Sequence, residues 1–393
     1  MTKPPILDGV RVIDMTSVVF GPYAAQSLAD LGADVIKVEA PAGDQFRYSA
    51  KPAKTRGMSP GFMALNSNKR SIALDLKNDD DKSTMRDLLK TADIFIHNVR
   101  LKAIEKLGFA PDQIRAINPD IIYIHCVGFG SDGPYDGLQA YDDVIQATSG
   151  VATLSGRVDG TGQARYIPSL IADKVAGMHG AQAALAAYIH KLKTGEGQFV
   201  EVPMFEAFTK FMMLEHLGGL TFNPPNGSAC YYRQIDPDRQ PFPTRDGFIS
   251  IVPYTPASWP IVFEVIEDSD FLNQPGLQTI KEQFFNQHKL YQRLSELTPT
   301  RTSAEWCQRF EAARIPCMPV RDVADILDDP HLADTGFFIQ HDHPSEGSWN
   351  AMAHPTKYSG FDIATHRPPP TIGEHSDEIR AELSQLKTRK TEQ

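Results

Sequence analysis

The chain begins with five short apolar segments: VRVIDM (residues 10–15), DVIKVE (34–39), SIALDL (71–76), IFIHN (94–98) and IIYIHCV (121–127). Helical patterns separate them, at Pro22 to Leu31, Asp80 to Thr91 and Pro111 to Ile117. Short β-branched runs that alternate with helices are typical of βαβ units and therefore of a parallel sheet. The sequence predicts an α/β fold with a large, doubly wound, Rossmann-like domain.

Three loops follow predicted strands at the edge where such a sheet binds its ligands. Doubly wound sheets hold ligands beyond the carboxyl ends of the strands. Here those ends lead into SVVFGP (17–22), NVR (98–100) and GFGSDGP (128–134). We expect the functional site at these three loops.

The rest of the chain contains a domain boundary. A long helix is predicted from Ser169 to about Lys191, with small residues every four positions that let another backbone approach closely. A Pro- and Gly-rich stretch at 218–227 is unsuited to helix or strand. The predicted organisation is a large domain at 1–220, a small α+β domain at 228–325 and a C-terminal segment at 326–393 that returns to the large domain.

The composition is that of an ordinary globular protein with an acidic surplus. The 393 residues include 39 Lys and Arg against 49 Asp and Glu, which gives a formal net charge of −10. This balance argues against a general binder of nucleic acid or of anionic membranes, because both need a basic surface. An anionic ligand would require a local basic pocket.

Cysteine usage and hydropathy indicate the compartment. Four widely spaced cysteines form no Cys-x-x-Cys pair, so neither a zinc site nor a disulfide framework is predicted. The start of the sequence, MTKPPILDGV, lacks a secretory core, and charged residues interrupt the most apolar stretch, 170–192. We expect a cytoplasmic protein with reduced thiols and no membrane partner.

Two common chemistries lack their motifs. An NAD-dependent oxidoreductase of this fold needs Gly-x-Gly-x-x-Gly after the first strand, and only Gly21 stands there. His341, Asp342 and His343 could ligate a metal, but such a run in a Pro-rich loop is more often solvated surface. The sequence predicts neither NAD nor a metal.

Basic residues gather around two of the predicted strands, as Lys69, Arg70, Lys77, Arg100, Lys102 and Lys106. One interpretation pairs them with the acidic run at 79–81 on strand and helix edges. The other is a pocket for a polyphosphate ligand, whose oxygens accept charge-assisted hydrogen bonds. Arg100 and Lys106 follow a strand on the ligand-binding side of the sheet, which somewhat favours the pocket.

Asp173 is a candidate nucleophile in the first turn of the long helix. A carboxylate there can simply stabilise the helix dipole. Its neighbours are small and apolar, however, and would hold it in a tight, partly dry place where it stays ionised and can attack an activated acyl group. The residue pattern leaves both interpretations open.

Motifs along nearly the whole chain match one family. They are VVFGP (18–22), LGADVIKVE (31–39), NSNKRS (66–71), GFG (128–130) with DGP (132–134), AD (172–173), TGEGQ (194–198), IP (315–316) with PV (319–320), and GEH (373–375). In this order, from about Leu7 to Ile379, the sequence resembles the class III CoA-transferases, a group that includes formyl-CoA transferase, carnitine CoA-transferase and α-methylacyl-CoA racemase.

The resemblance implies an architecture and a reaction. The large domain would be completed by the C-terminal segment, and two subunits would form a homodimer of interlocked rings. Asp173 matches the family's nucleophile, which forms an aspartyl mixed anhydride with the acyl group and then an aspartyl-CoA thioester. Coenzyme A is the cofactor, as acyl-CoA substrate and product, a small carboxylic acid is the second substrate, and neither metal nor NAD is implied.

The resemblance also assigns roles to individual residues. The backbone amides of Val19 and Phe20 match the groups that stabilise the oxyanion, while Tyr141 and Asp142 match positions at the thioester end and behind the nucleophile. The positions that match CoA contacts are Leu74, Lys77, Asn98, Val99, Arg100 and Lys106.

Departures from the family pattern limit the substrate. Val19 stands where members that use oxalate have Gln, and their glycine run has no counterpart beyond Gly218 and Gly219, so oxalate and formyl-CoA are disfavoured. Tyr141 stands where the racemase has a His, and a Tyr is a poor base near neutral pH. We expect a CoA-transferase; the alternatives are a racemase or epimerase and a non-catalytic CoA-binding protein.

The small domain is expected to close over the acyl group with Tyr231, Tyr232, Arg233, Tyr254 and Trp259. The sequence does not predict which acid accepts the CoA.

Overall fold

The computed structural model describes residues 3–255, 257–364 and 367–391. The chain divides into two compact units. The first comprises the residues up to 151, 166–213 and those from 331 onward, and the second comprises 152–165 and 214–330. These bounds differ from the predicted division at 1–220, 228–325 and 326–393, since residues 152–165 group with the second unit.

The first unit is built on a six-stranded sheet. Its strands are β1 (Arg11–Met15), β2 (Asp34–Glu39), β3 (Lys69–Ala73), β4 (Ile94–His97), β5 (Ile122–Val127) and β6 (Phe199–Pro203). They are ordered β3-β2-β1-β4-β5-β6, and every neighbouring pair is parallel. The order reverses between β1 and β4, which is the switch point of a doubly wound sheet. The predicted α/β class is confirmed.

Nine α-helices lie along the described residues before 217: α1 (Phe20–Asp30), α2 (Pro60–Leu65), α3 (Asp79–Leu89), α4 (Leu101–Leu107), α5 (Pro111–Ile117), α6 (Asp142–Thr148), α7 (Leu154–Val158), α8 (Ile171–Thr194) and α9 (Met204–His216). The helices predicted between the strands are α1, α3 and α5. The sequence did not predict α4, because this short helix buries only Ile104 and shows no apolar period. Gly195, with φ 81°, ends α8 in the left-handed region that glycine favours.

The second unit has its own sheet and core. The strands β7 (Phe242–Pro243), β8 (Phe248–Ile251) and β9 (Cys317–Pro319) pair antiparallel. Besides α7, the α-helices of this unit are α10 (Ser258–Val265), α11 (Ile280–Phe285), α12 (Gln287–Leu297) and α13 (Ser303–Ala312). Trp259, Phe263 and Trp306 are buried in their common core, which makes this a separate α+β unit.

The C-terminal segment belongs to the first unit. It contains α14 (Pro330–Asp334), an antiparallel hairpin of β10 (Phe338–His343) and β11 (Gly347–Met352), and α15 (Ser376–Thr391). Ile379 and Leu383 of α15 are buried in the same core as Ile36 and Ile72 of the central sheet. The last helix therefore completes a core that the first strands begin.

Helices α1 and α8 pack closely because α8 carries small residues. A Cβ atom at Gly177 would lie 2.8 Å from the Tyr23 Cβ, and one at Gly180 would lie 3.0 Å from the Ala24 Cβ. Larger side chains would push the helices apart. The close contact matters for the site, since the first turn of α8 carries Asp173 and the first turn of α1 carries Phe20.

Candidate active site

A large cavity opens at the carboxyl ends of the sheet strands of the first unit. Its volume is about 1190 Å³, and its lining includes residues from the loops after β1, β4 and β5. Pockets for drug-sized ligands span roughly 300–1000 Å³. The cavity can therefore take a larger ligand, and it lies where the sequence predicted the site.

Asp173 forms part of the cavity wall. It stands in the first turn of α8 and its exposed fraction is only 7%. Burial raises the pKa of the Asp173 carboxyl to about 7, the neighbouring Asp142 carboxylate adds to the rise, and a hydrogen bond from the Phe20 backbone N–H opposes it. With that pKa, Asp173 is only partly ionised near neutral pH, in contrast to the expectation that it stays ionised, because burial and a like charge outweigh the Phe20 hydrogen bond.

Asp142 lies behind Asp173 and holds the start of α8. Its Oδ1 accepts hydrogen bonds from the backbone N–H groups of Ala172 (2.7 Å) and Asp173 (3.2 Å), and its Oδ2 accepts one from Gln146 Nε2 (2.5 Å). The residue at the helix N-cap, Leu170, provides no side-chain acceptor. Asp142 therefore replaces the missing cap and places the Asp173 backbone.

The loop between β1 and α1 has an unusual conformation. Val18 has φ 71°, a left-handed value that is strained for a β-branched residue. Its N–H donates to Asp44 Oδ1 (3.0 Å), while Asn98 accepts from the Ser17 N–H (3.0 Å) and donates to the Ser17 carbonyl (2.9 Å). A Cβ atom at Gly21 would lie 2.3 Å from Thr16 Cγ2, so only glycine fits there.

Four buried charged residues, Asp14, Lys37, Asp44 and Lys69, form a support network under this loop. Lys37 Nζ donates to the Thr16 carbonyl (2.9 Å) and to Asp44 Oδ2 (3.1 Å), and Lys69 Nζ donates to Asp14 Oδ2 (2.9 Å). Burial alone would lower the pKa of Lys37, but the Asp14 and Asp44 carboxylates outweigh it and raise that pKa. Sequence reasoning missed the network; its signal is the charged Lys37 inside an apolar strand.

The oxyanion candidates, Val19 and Phe20, lie at the N-cap and the first residue of α1. Phe20 lines the cavity and its N–H already contacts Asp173. Val19 is buried and is not among the described residues that line the cavity, whereas the exposed Tyr141 is.

All six residues predicted to contact CoA line this one cavity: Leu74, Lys77, Asn98, Val99, Arg100 and Lys106. Leu74 is buried, while Asn98 also clamps Ser17 as described above. The structure thus brings together side chains from three separate stretches of sequence.

Four exposed cations, Lys77, Arg100, Lys102 and Lys106, form a basic rim on the cavity. Within the described ranges, no carboxylate pairs with them. The acidic run has other partners, since Asp79 pairs with Lys82 (3.8 Å) and Asp81 with Arg380 (2.8 Å).

Lys69 and Arg70 differ from the basic rim, because they are buried and pair with Asp14 and with Asp34, Glu378 and Glu382 respectively. The pairing of the basic cluster with the acidic run at 79–81 is therefore wrong for Lys69 and Arg70, whose partners are other carboxylates. The polyphosphate pocket stays a prediction for the basic rim.

A pair of histidines, also missed by sequence reasoning, stands at the end of β4 and β5. His97 and His125 are register partners, and their rings stack with centroids 4.6 Å apart. His125 lines the cavity and its Nε2 lies 3.1 Å from the Val99 carbonyl oxygen. Burial lowers the pKa of both imidazoles, so both are neutral at pH 7.

Metal ligation is not indicated by the described side chains, among which no group of three His, Cys, Asp or Glu residues could hold an ion. His343 Nε2 instead lies 2.8 Å from the Pro369 carbonyl oxygen. None of the helices in the described ranges has the length and hydropathy needed to cross a membrane.

Comparison with known proteins agrees with this geometry. The family model described as CoA-transferase family III matches residues 7–376. Similar proteins include the formyl-CoA:oxalate CoA-transferase of Streptomyces avermitilis (32% identity, covering 96% of this chain and 95% of that protein) and the succinate–glutarate CoA-transferase of Agrobacterium fabrum (29%, covering 98% and 97%).

Among solved structures, a CAIB/BAIF family protein from Brucella suis superposes with a TM-score of 0.84 at 27% identity, covering 97% of this chain and 100% of that one. The family match spans the sheet, the cavity and the helix that bears Asp173. The chain belongs to CoA-transferase family III.

Proposed function

We propose that the protein transfers CoA from an acyl-CoA to a free carboxylic acid, with Asp173 as the nucleophile. The observation that carries the proposal is a buried carboxylate in the wall of a large cavity that also bears the unpaired basic rim. The carboxylate suits covalent acyl chemistry, and the cations suit the phosphates of CoA.

In the proposed reaction, the Asp173 carboxylate attacks the thioester carbonyl and expels the CoA thiolate, which leaves a mixed anhydride. The thiolate then attacks the Asp173 carbonyl and releases the donor acid, which leaves an aspartyl-CoA thioester. The acceptor carboxylate attacks this thioester and expels the thiolate again, which leaves a second mixed anhydride, between Asp173 and the acceptor acid. Finally, the thiolate attacks the acceptor acyl carbonyl, which forms the new acyl-CoA and frees Asp173.

Each of these steps develops negative charge on a carbonyl oxygen. The N-terminal amides of α1, at Val19 and Phe20, are the proposed donors to that oxygen, since the first N–H groups of a helix have no partner within the helix. The Phe20 N–H bonds to Asp173 without ligand and would have to change acceptor during the reaction. Lys37 and Asp44 act as positioning residues, because they hold the preceding loop.

CoA would lie along the basic rim and the apolar wall of the cavity. The side chains of Lys77, Arg100 and Lys106 are proposed to contact its phosphates, whereas Leu74 and Val99 would contact less polar parts. The Asn98 side chain is hydrogen-bonded to both the N–H and the carbonyl of Ser17, so it would contribute to CoA binding mainly by fixing the conformation of that loop.

A cytoplasmic homodimer with interlocked subunits remains part of the proposal. Large apolar side chains on α8, at Met178, Ile189 and Leu192, are 42%, 51% and 68% exposed and share one helix face. A second copy of the chain would cover this face. Analytical ultracentrifugation that finds only monomers at micromolar concentration would contradict this part.

The decisive experiment traps the covalent intermediate. The protein is incubated with acyl-CoA and hydroxylamine, and a hydroxamate on Asp173, detected by peptide mass spectrometry, is the expected result. The Asp173→Asn variant should lose transfer and labelling but still bind CoA. A wild-type protein without any label, together with exchange of the substrate α-proton in deuterated water, would indicate the racemase instead.

The substrates follow from a panel of acids with succinyl-CoA and acetyl-CoA as donors. We expect oxalate to be a poor acceptor, because the apolar Val19 stands at the position where a polar side chain would be needed. High activity with oxalate would contradict this expectation.

A further inference from the structure

A second, smaller cavity lies wholly within the second unit. Its volume is about 130 Å³. Two arginines line it together with aromatic and aliphatic side chains, namely Arg233, Arg239, Phe242, Ile251, Val252 and Tyr291. The cavity therefore combines positive charge with apolar walls.

Arg233 is held in place but incompletely bonded. The phenol groups of Tyr231 and Tyr291 interact with its guanidinium. Its Nε atom, however, is buried and has no hydrogen-bond partner among the described residues. The protein therefore does not satisfy every donor of this guanidinium, and the Arg233 side chain is partly exposed where the residue lines the cavity.

Neither cavity arginine has an acidic partner in the part of the chain that the structure describes. Arg239 donates to Gln234 Oε1 (2.9 Å), which is neutral, and the nearby Asp238 accepts instead from Gln292 Nε2 (2.8 Å). Other arginines of the same unit are paired, such as Arg293 with Asp268 (2.7 Å).

The chemistry of the two arginines indicates the ligand. A guanidinium is always charged, and its fork of N–H donors matches a carboxylate. The cavity is much smaller than the roughly 300–1000 Å³ of sites for drug-sized molecules, so its size matches a small molecule better than a nucleotide. The walls formed by Ile251 and Val252 suit a short hydrocarbon chain.

We propose that this cavity binds the carboxylate of a small organic acid, with Arg233 and Arg239 as its partners and the acid's hydrocarbon part against Ile251 and Val252. The proposal goes beyond the transfer reaction and does not depend on Asp173.

The test is calorimetric titration of the full chain with succinate, butyrate, butyramide and inorganic phosphate. Butyrate and succinate should bind and butyramide should not, because the amide lacks the charge. Binding of phosphate as strong as that of butyrate would overturn the assignment to a carboxylate, and equal binding of butyrate and butyramide would overturn the role of the arginines.

Variants separate this cavity from any acid site near Asp173. Arg233→Gln should weaken butyrate binding by about tenfold or more, since a desolvated charge pair is lost. The matched control is Arg245→Gln, since Arg245 is an exposed arginine of the same unit outside the cavity. It should change the affinity for butyrate less than about twofold. Arg233→Lys keeps the charge but not the fork of N–H donors, and its affinity for butyrate should lie between those of Arg233→Gln and the control. An intermediate affinity would show that the loss in Arg233→Gln is not due to misfolding.

Wild-type affinity in a folded Arg233→Gln protein would overturn the proposal. Asp173→Asn abolishes the proposed transfer but leaves this cavity intact, so that variant should still bind butyrate. Adding Arg233→Gln to it should weaken butyrate binding as much as Arg233→Gln does alone. Failure of the transfer reaction can thus be told apart from failure of the acid site.

Discussion

The support network and the basic rim lie on the same unit and both contain lysine side chains, but the environments of those charges differ. In the support network, Lys69 and Asp14 are fully buried and lie 2.9 Å apart. In the basic rim, Lys77 and Arg100 face solvent, and no acidic partner stands beside them in the described residues. A paired buried charge serves the fold, whereas an unpaired charge beside a cavity can serve a ligand.

The carboxylates show the same difference. Burial alone would raise the pKa of Asp14, yet Lys69 and Lys37 outweigh it and lower that pKa. Asp173 is buried beside another carboxylate, and its pKa rises to about 7. Two aspartates buried in one unit thus have opposite pKa shifts, because one has cationic neighbours and the other does not.

The largest effect is expected from breaking the support network. Lys69→Met leaves the Asp14 charge buried without its partner and should lower the free energy of unfolding by about 3–5 kcal/mol. Lys77→Met in the basic rim is the matched control and should change it by less than about 0.5 kcal/mol. Urea denaturation followed by circular dichroism measures both; equal losses would remove the distinction between the two groups.

Removing the Asp173 charge should stabilise the fold at high pH. The folded pKa lies above the unfolded value of 3.8, so the folded state binds more protons between pH 4 and pH 7 and stability falls as the pH rises through that window. At ~1.4 kcal/mol per pKa unit, Asp173→Asn should gain a few kcal/mol at pH 8 and little at pH 4.

Thermal unfolding of Asp173→Asn and the wild-type protein at both pH values tests this. Transition temperatures that differ equally at pH 4 and pH 8 would show that the Asp173 charge is not the cause.

Neutralising the basic rim should affect ligand binding without affecting stability. Arg100→Gln and Lys106→Gln should each weaken CoA binding by about tenfold, the value of one charge-assisted hydrogen bond, and high salt should reduce the difference. Lys82→Gln is the control, since Lys82 is paired with Asp79 and does not line the cavity. Loss of CoA affinity in Lys82→Gln as large as in Arg100→Gln would argue for a general charge effect.

The smallest effect concerns the neighbour of the nucleophile. Asp142→Asn keeps an acceptor for the Ala172 and Asp173 amides but removes the like charge. The pKa of Asp173 should fall, because two carboxylates no longer repel each other. The acidic limb of the kcat/KM profile should shift to lower pH; an unchanged limb with lower kcat would assign Asp142 a purely structural role.

Much of the fold could be predicted because local pattern and tertiary environment agree. The strand at 34–39 and the helix at 111–117 have the same bounds in sequence and structure, since buried parallel strands require β-branched runs and Pro favours a helix start. The C-terminal helix α15 was not predicted. Among its described side chains, it contributes Ile379 and Leu383 to the core, and two apolar residues in a charged stretch set no clear period.

The candidate site, like the fold, could be predicted from the sequence only in part. The sequence by itself determined the α/β class, the family and the residues that could do chemistry, because strand composition and local motifs are encoded along the chain. Only the tertiary structure decided which charges are paired. Lys69 and Lys77 are eight positions apart in sequence and look alike there, but a charge acts according to its neighbours in space. Lys69 meets Asp14, a residue from another strand, whereas Lys77 meets the open cavity.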